Sequence, residues 1–111
     1  MKRVVLLAAL ALMVPAFAAA EDWNNVSIID KHCEAKYKAN ADSHTRDCAL
    51  LCAKSGYGII DNDGNYLKFD AKGNQEAKSA LKNSTNKDHL RVNVTGTKEG
   101  DTIHVQSLSM L

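Results

Sequence analysis

The part of the sequence that decides the fold runs from residue 44 to residue 58 and reads His44-Thr45-Arg46-Asp47-Cys48-Ala49-Leu50-Leu51-Cys52-Ala53-Lys54-Ser55-Gly56-Tyr57-Gly58. It predicts a helix over about Ser43–Ser55. Asp42 or Ser43 can accept hydrogen bonds from the free amides of the first turn, and Gly56 can end the helix in the left-handed conformation. The leucine and alanine residues between these ends favour the helical state. The polar stretch Glu34–Asp42 before this helix is predicted to be a loop that follows the first strand, and a second strand is predicted directly after the helix.

Side chains that bind soft metals or form disulfides recur along this helix at intervals of four residues. His44, Cys48 and Cys52 would lie on one helical face, because residues four apart are one turn above another. The remaining cysteine, Cys33, follows the first predicted strand, so all three cysteines of the chain lie within residues 33–52. The sequence therefore predicts a thiol–histidine centre between the first strand and the helix.

Alternation of apolar and polar residues predicts five strands, and spacings of three and four predict a second helix. Asn62–Gly64 tolerates the tight reversal of a hairpin between the second and third strands. The predicted strands are residues 23–30, 57–61, 65–70, 89–95 and 102–108, and the second helix is residues 74–83. A helix between the third and fourth of five strands is the order of a small Greek-key barrel of the OB type. The predicted fold class is therefore α+β, a small five-stranded antiparallel OB-like barrel or sheet with two helices.

The first 20 residues predict a secretory signal peptide. Two basic residues precede an apolar run over residues 4–14, and residues 15–20 are mostly small. This order is typical of export signals, and the run is too short for a membrane span of about 20 residues. We expect a signal peptide over residues 1–20, a single OB-like domain over residues 21–111, and a periplasmic or secreted protein with no membrane span after cleavage.

The charge and the cysteine count narrow the class of partner. Removal of Lys2 and Arg3 with the signal lowers the formal net charge from +1 to −1. A nearly neutral chain without a basic tract is not expected to bind nucleic acid or an anionic membrane surface. Three cysteines are an odd number, so pairing of two in an oxidising compartment leaves one thiol for a metal, a protein partner or redox exchange.

The arrangement of these residues resembles that of a group of small exported bacterial proteins. The features that carry the resemblance are Cys33, the helical pattern His44-x3-Cys48-Ala49-x2-Cys52, Gly56, the following hairpin, and the endings Val92-x-Val94-x-Gly96 and Ile103-x-Val105-x-Ser107. The resemblance covers nearly all of the mature chain. It implies export and an OB-like fold, and it brings no established activity with it.

A metal centre is one interpretation of the thiol–histidine pattern. Cys33, His44, Cys48 and Cys52 would supply three thiolates and one imidazole, which suits zinc or copper(I). Eight residues span about 12 Å of helix, so His44 and Cys52 reach one ion only by leaning inward. The three-ligand sets Cys33-Cys48-Cys52 and Cys33-His44-Cys48 are therefore as credible as the complete four.

A structural disulfide is the other interpretation. A bond from Cys33 to Cys48 or to Cys52 would tie the strand to the helix, and a closed loop of about 15 residues would add roughly 3 kcal/mol of stability. A bond between Cys48 and Cys52 is disfavoured, because their side chains run parallel along one helix and the bond would constrain little.

Three functions follow from these interpretations. The first is a non-enzymatic periplasmic binding or accessory domain whose Cys33, His44, Cys48 and Cys52 bind a soft transition metal or form a redox-sensitive disulfide. The second is a disulfide-stabilised structural module that recruits an unknown protein partner. The third and least favoured is a thiol oxidoreductase, because the Cys48-x3-Cys52 spacing is not the Cys-x2-Cys spacing of thioredoxin-like enzymes.

Overall fold

The five predicted strands close into a barrel in this computed structural model, which describes residues 19–111. The strands are β1 (Glu21–Asp30), β2 (Tyr57–Ile60), β3 (Tyr66–Phe69), β4 (Arg91–Glu99) and β5 (Thr102–Met110). The helices are α1 (Glu34–Tyr37), α2 (Arg46–Leu51) and α3 (Ala71–Asn83), with 3-10 turns at Lys31–Cys33, Ala41–Ser43 and Ala53–Ser55. The predicted signal peptide, residues 1–20, lies almost entirely outside the described residues. None of the helices within residues 19–111 combines the length and the apolar character needed to cross a membrane.

The strand order around the barrel is β1-β2-β3-β5-β4, and β4 pairs back onto β1. The prediction of a five-stranded α+β fold is confirmed, and of the two forms left open, a barrel or a sheet, the chain adopts the closed barrel. The α3 helix lies between β3 and β4 as expected. The prediction of a purely antiparallel barrel is wrong at one pair of strands. β3 and β5 run parallel, with Lys68 opposite Thr102 and Phe69 opposite Ile103. The α3 crossover carries the chain beyond β5 to the position of β4, and the β4–β5 hairpin then returns it beside β3 in the same direction.

Apolar side chains from every strand fill the barrel, and α3 packs against it. The strand residues of this core are Val26, Ile28, Tyr57, Ile59, Leu67, Phe69, Val92, Val94, Ile103 and Val105. Ala77 and Leu81, one turn apart on α3, join the same core. The N-terminus of α3 is capped by Asp70, whose carboxylate accepts the Gly73 amide hydrogen at 2.9 Å. This packing gives the chain one continuous core, which holds the ends of the strands in place.

A bulge in β1 determines which of its side chains point into the barrel. The pairing with β4 shifts register between Trp23 and Val26, and Asn25 has a φ of 54° there. Val26 and Ile28 belong to the core, and because alternate residues of a strand share one face, Asp30 is the next residue on that inner face. The strand therefore ends with a carboxylate, rather than an apolar side chain, at the end of the barrel.

The helix predicted over Ser43–Ser55 is shorter in the structure. The α2 helix begins after Thr45, whose side chain accepts the Cys48 amide hydrogen at 3.2 Å. It ends at Leu51, a separate 3-10 turn follows, and Gly56 with a φ of 86° ends that turn. The threonine hydroxyl caps the helix two to three positions later than predicted, and the segment before it turns separately as a 3-10 helix.

Candidate metal and thiol centre

Asp30 is the central acidic group at this end of the barrel. Its residue is fully buried, and its Oδ2 accepts the Cys33 amide hydrogen at 3.0 Å. This hydrogen bond caps the 3-10 turn Lys31–Cys33 and turns the chain sharply after β1. The turn brings the Cys33 side chain back toward the carboxylate of Asp30.

Two hydrogen bonds join this turn to the segment that carries Cys52. The Lys31 amide donates to the Gly56 carbonyl at 2.9 Å, and the His32 amide donates to Ser55 Oγ at 3.1 Å. The Ser55 hydroxyl in turn donates to the Cys52 carbonyl at 2.8 Å. The turn after β1 and the turn before β2 are therefore held side by side, which fixes the relative positions of the two cysteines.

The result is a compact group of three potential ligands. One carboxylate oxygen of Asp30 and the sulfur atoms of Cys33 and Cys52 all lie within 4.8 Å of one another. Both cysteines are partly buried, and neither is in a disulfide. This is the group of metal-binding side chains that residues 19–111 bring together. Two of its members were predicted from the sequence, and Asp30 was not.

His44 lies behind this group, beside Asp30. Its Nε2 is 2.9 Å from Asp30 Oδ1, and both side chains are fully buried. The two atoms are close, but the contact lacks the alignment of a hydrogen bond, and Nδ1 has no hydrogen-bond partner within residues 19–111. The ring packs edge-on against Tyr37, with ring centroids 4.8 Å apart. His44 therefore neighbours the carboxylate rather than joining the two sulfur atoms.

Burial and charge shift the pKa values of two groups in this centre. Burial lowers the pKa of His44, and the nearby Asp30 carboxylate opposes this shift only in part. The imidazole is therefore favoured in its neutral form. Partial burial, together with the Asp30 carboxylate and the Cys52 thiol, raises the pKa of the Cys33 thiol to about 11. A bound cation would reverse this balance, because a thiol that coordinates a metal is deprotonated.

The structure places the fourth predicted residue, Cys48, elsewhere. Cys48 is exposed on α2 and does not belong to the group of ligands formed within residues 19–111. His44 precedes α2 in an extended conformation and Cys52 follows it, so His44, Cys48 and Cys52 do not share one helical face. The predicted four-residue set is thus divided into a pair of cysteines, a buried histidine and a surface thiol.

The Cys52 side of the centre opens to the surface. A shallow pocket of about 220 Å³ is lined by His32, Cys52, Lys54 and Ser55. Cys52 is therefore the sulfur atom that an external molecule meets first from this pocket, whereas Asp30 and His44 lie on the buried side of the group.

No protein-family model, curated protein or solved structure matches the chain. The chemistry of this centre therefore rests on its own side chains. Two thiols and a carboxylate can bind a metal ion, and the two thiols can also form a disulfide.

Proposed function

We propose that the chain is a non-enzymatic accessory domain of an exported bacterial protein class, with an OB-type barrel, that binds a metal ion at Asp30, Cys33 and Cys52. The observation that carries the proposal is that a carboxylate oxygen and two sulfur atoms lie within 4.8 Å of one another. The predicted signal peptide and the resemblance to small exported bacterial proteins support a periplasmic or secreted location.

The identity of the donor atoms favours zinc over copper(I). Zinc accepts thiolate, imidazole and carboxylate ligands, with bonds of about 2.0–2.3 Å. Copper(I) prefers sulfur, so the hard oxygen of Asp30 suits it less well. Donor atoms separated by no more than 4.8 Å need only small side-chain adjustments to share one zinc ion.

His44 supports this centre as the buried polar neighbour of Asp30. A buried carboxylate beside two thiols is costly unless a cation or a polar neighbour compensates for it. The imidazole of His44 supplies such a neighbour, with Nε2 2.9 Å from Asp30 Oδ1, whereas the Cys33 amide donates to the other oxygen, Oδ2. Side chains that hold a metal ligand in this way normally affect the affinity for the ion. His44 is therefore a positioning residue for Asp30.

The raised pKa of Cys33 supports binding rather than thiol catalysis. An attacking thiol must be a thiolate at the working pH, and a pKa of about 11 keeps Cys33 protonated near neutrality in the absence of a cation. A metal ion removes this barrier by charge, whereas an organic substrate does not. The non-enzymatic function is therefore favoured over a thiol oxidoreductase.

Metal binding by the reduced protein tests this proposal. The purified chain is reduced without oxygen, loaded with zinc, freed of excess ion and analysed for metal content and affinity. We expect a single bound ion per chain, and at least a tenfold loss of affinity for Cys33→Ser and for Cys52→Ser. Cys48→Ser is the matched control and should bind normally, because Cys48 is exposed and outside the group.

The contrary results are equally clear. If the reduced protein retains no zinc, the proposed function is wrong. If Cys48→Ser lowers the affinity as much as Cys52→Ser does, then the ligand set proposed here is wrong. Circular dichroism of each variant separates loss of the site from loss of the fold.

A structural module with a disulfide between Cys33 and Cys52 is the second candidate function. The specific observation in its favour is that the structure brings these two sulfur atoms, and not that of Cys48, to the same place. A bond between them would fasten the end of β1 to the turn before β2 and add about 3 kcal/mol to the free energy of unfolding. Protein isolated with this bond fully formed, resistant to reduction and free of metal would favour this candidate.

A further inference from the structure

We propose that Cys33 and Cys52 form a reversible disulfide whose formation releases the metal ion, so that the centre binds metal only while its thiols are reduced. This inference rests on the proposed metal binding at the same residues. It adds a second chemical state and a condition that governs occupancy.

The geometry brings the two sulfur atoms close together before any bond forms. Their segments are fastened by the hydrogen bonds from the Lys31 amide to Gly56 and from the His32 amide to Ser55. The sulfur atoms lie within 4.8 Å of each other, and a disulfide bond is about 2.05 Å long. Side-chain rotation therefore covers most of the remaining distance, and the hydrogen bonds that join the two segments remain in place.

The zinc-bound form and the disulfide form exclude each other because both use the sulfur atoms of Cys33 and Cys52. A sulfur atom in a disulfide is neutral and is a much weaker ligand for zinc than the negatively charged thiolate. Oxidation of Cys33 and Cys52 leaves only the Asp30 carboxylate from the group of three. One carboxylate does not hold zinc tightly, so the ion leaves when the bond forms.

The reaction is a thiol–disulfide exchange with a small-molecule or protein disulfide as the oxidant. The Cys52 thiolate, which is reached through the pocket with Lys54 and Ser55, attacks one sulfur of the oxidant and displaces the other as a thiolate. The Cys33 thiol then loses its proton as it attacks Cys52 Sγ in the mixed disulfide, and the second half of the oxidant leaves as a thiolate and takes up a proton. In the metal-free protein, the two thiols together lose two electrons and two protons. The oxidant takes up these electrons and protons and is converted from a disulfide to two thiols.

Cys48 provides a built-in reference for this reaction. It is exposed on α2 and lies outside the group of ligands within residues 19–111. The three cysteines of the reduced chain should therefore become one accessible thiol after oxidation, and that thiol should map to Cys48.

The test uses Cys48→Ser, which removes the surface thiol and leaves the centre unchanged. The zinc-loaded variant is equilibrated with mixtures of reduced and oxidised glutathione, and zinc release and the Cys33–Cys52 bond are measured in the same samples. We expect the ion to be released in step with the bond. When the free zinc concentration exceeds the dissociation constant of the site, each tenfold rise in free zinc should raise the midpoint tenfold. The midpoint is expressed as the ratio of oxidised glutathione to the square of reduced glutathione, and a tenfold change in it corresponds to about 30 mV.

Three outcomes would overturn the inference, and they differ from the failure of metal binding itself. Retention of zinc by the disulfide form would overturn it, and so would a midpoint that does not depend on zinc. Glutathione attached to Cys52 with no intramolecular bond would also overturn it. All three can occur in a protein that binds zinc when reduced, whereas absence of zinc from the reduced protein contradicts the proposed function as well.

Discussion

Replacement of His44 by leucine should lower the free energy of unfolding by about 2–4 kcal/mol. Both side chains of the His44–Asp30 pair are fully buried, with Nε2 and Oδ1 2.9 Å apart. Removal of one partner from a buried ion pair costs about 3–5 kcal/mol. The cost is reduced here because burial lowers the pKa of His44 and favours the neutral ring, and because Asp30 keeps its hydrogen bond from the Cys33 amide.

Asp30→Asn provides the more informative half of this experiment. Asparagine retains an oxygen that can accept the Cys33 amide hydrogen, so in the wild-type background it should destabilise the fold by only about 1–2 kcal/mol. In the His44→Leu background the same change removes a buried carboxylate that has lost its neighbour. There it should have no cost or should stabilise the protein, which corresponds to a coupling energy of about 1–3 kcal/mol.

Urea unfolding of the wild type, both single variants and the double variant measures this coupling. The samples contain a reductant and a metal chelator, so that neither disulfide formation nor metal binding contributes to the free energy. His104→Leu on β5 is the matched control, because His104 is half exposed, and it should change stability by less than about 0.5 kcal/mol. If Asp30→Asn costs the same in both backgrounds within 0.5 kcal/mol, the two side chains do not support each other and His44 is not a positioning residue.

Three further predictions concern the scaffold. Gly58→Ala should cost about 1–3 kcal/mol, measured as a lower urea midpoint, because the added methyl group would collide with the Leu67 carbonyl oxygen. Tyr57→Phe should cost about 1–2 kcal/mol in the same assay, because the buried Tyr57 hydroxyl donates to a backbone carbonyl of α2 at 2.7 Å. The hydrogen bonds from Arg91 hold the pKa of Asp42 below its ordinary value of 3.8. The stability that Asp42 contributes is present above that value and is lost as the pH falls through its folded pKa, so Asp42→Asn should flatten the decline in stability below about pH 4.

The β2–β3 hairpin shows which parts of the fold could be predicted from local sequence. The predicted reversal at Asn62–Gly64 occurs where expected, between Ile60 and Tyr66. The Asp61 carboxylate accepts the amide hydrogens of residues 63 and 65 at 2.9 and 2.8 Å. The signal for this turn lies entirely within a few neighbouring residues. Such signals need no knowledge of the rest of the chain.

The end of β4 shows where local signals mislead. The fourth strand was predicted to end at residue 95, just before Gly96, but β4 continues to Glu99 and the chain turns at Gly100. Gly96 lies in the strand at a register shift opposite Val105, where a β-carbon would collide with the His104 carbonyl. The glycine is required by close approach of the neighbouring strand rather than by a turn. A single strand read alone does not distinguish these two causes.

Only part of the candidate site was predicted, because arguments from residue spacing depend on an unbroken helix. The interval of four residues placed His44, Cys48 and Cys52 on one face, but α2 contains only the middle one of the three. Cys33 and Cys52 meet instead because the turns that carry them are joined by backbone and serine hydrogen bonds. Those bonds form between segments far apart in sequence, so no helical repeat could reveal them.

Asp30, the residue that the sequence interpretation missed, did leave a signal. Val26, Ile28 and Asp30 occupy alternate positions of β1, so a carboxylate stands where the alternation calls for an apolar core residue. Burial of a carboxylate requires a compensating polar group or a metal ion. In the structure, the polar groups that compensate for Asp30 are the Cys33 amide in the turn that follows and the His44 ring packed against the carboxylate. In this chain the acidic residue at the end of β1, three positions before Cys33, therefore indicates two members of the centre, whereas the four-residue spacing of His44, Cys48 and Cys52 indicates only Cys52.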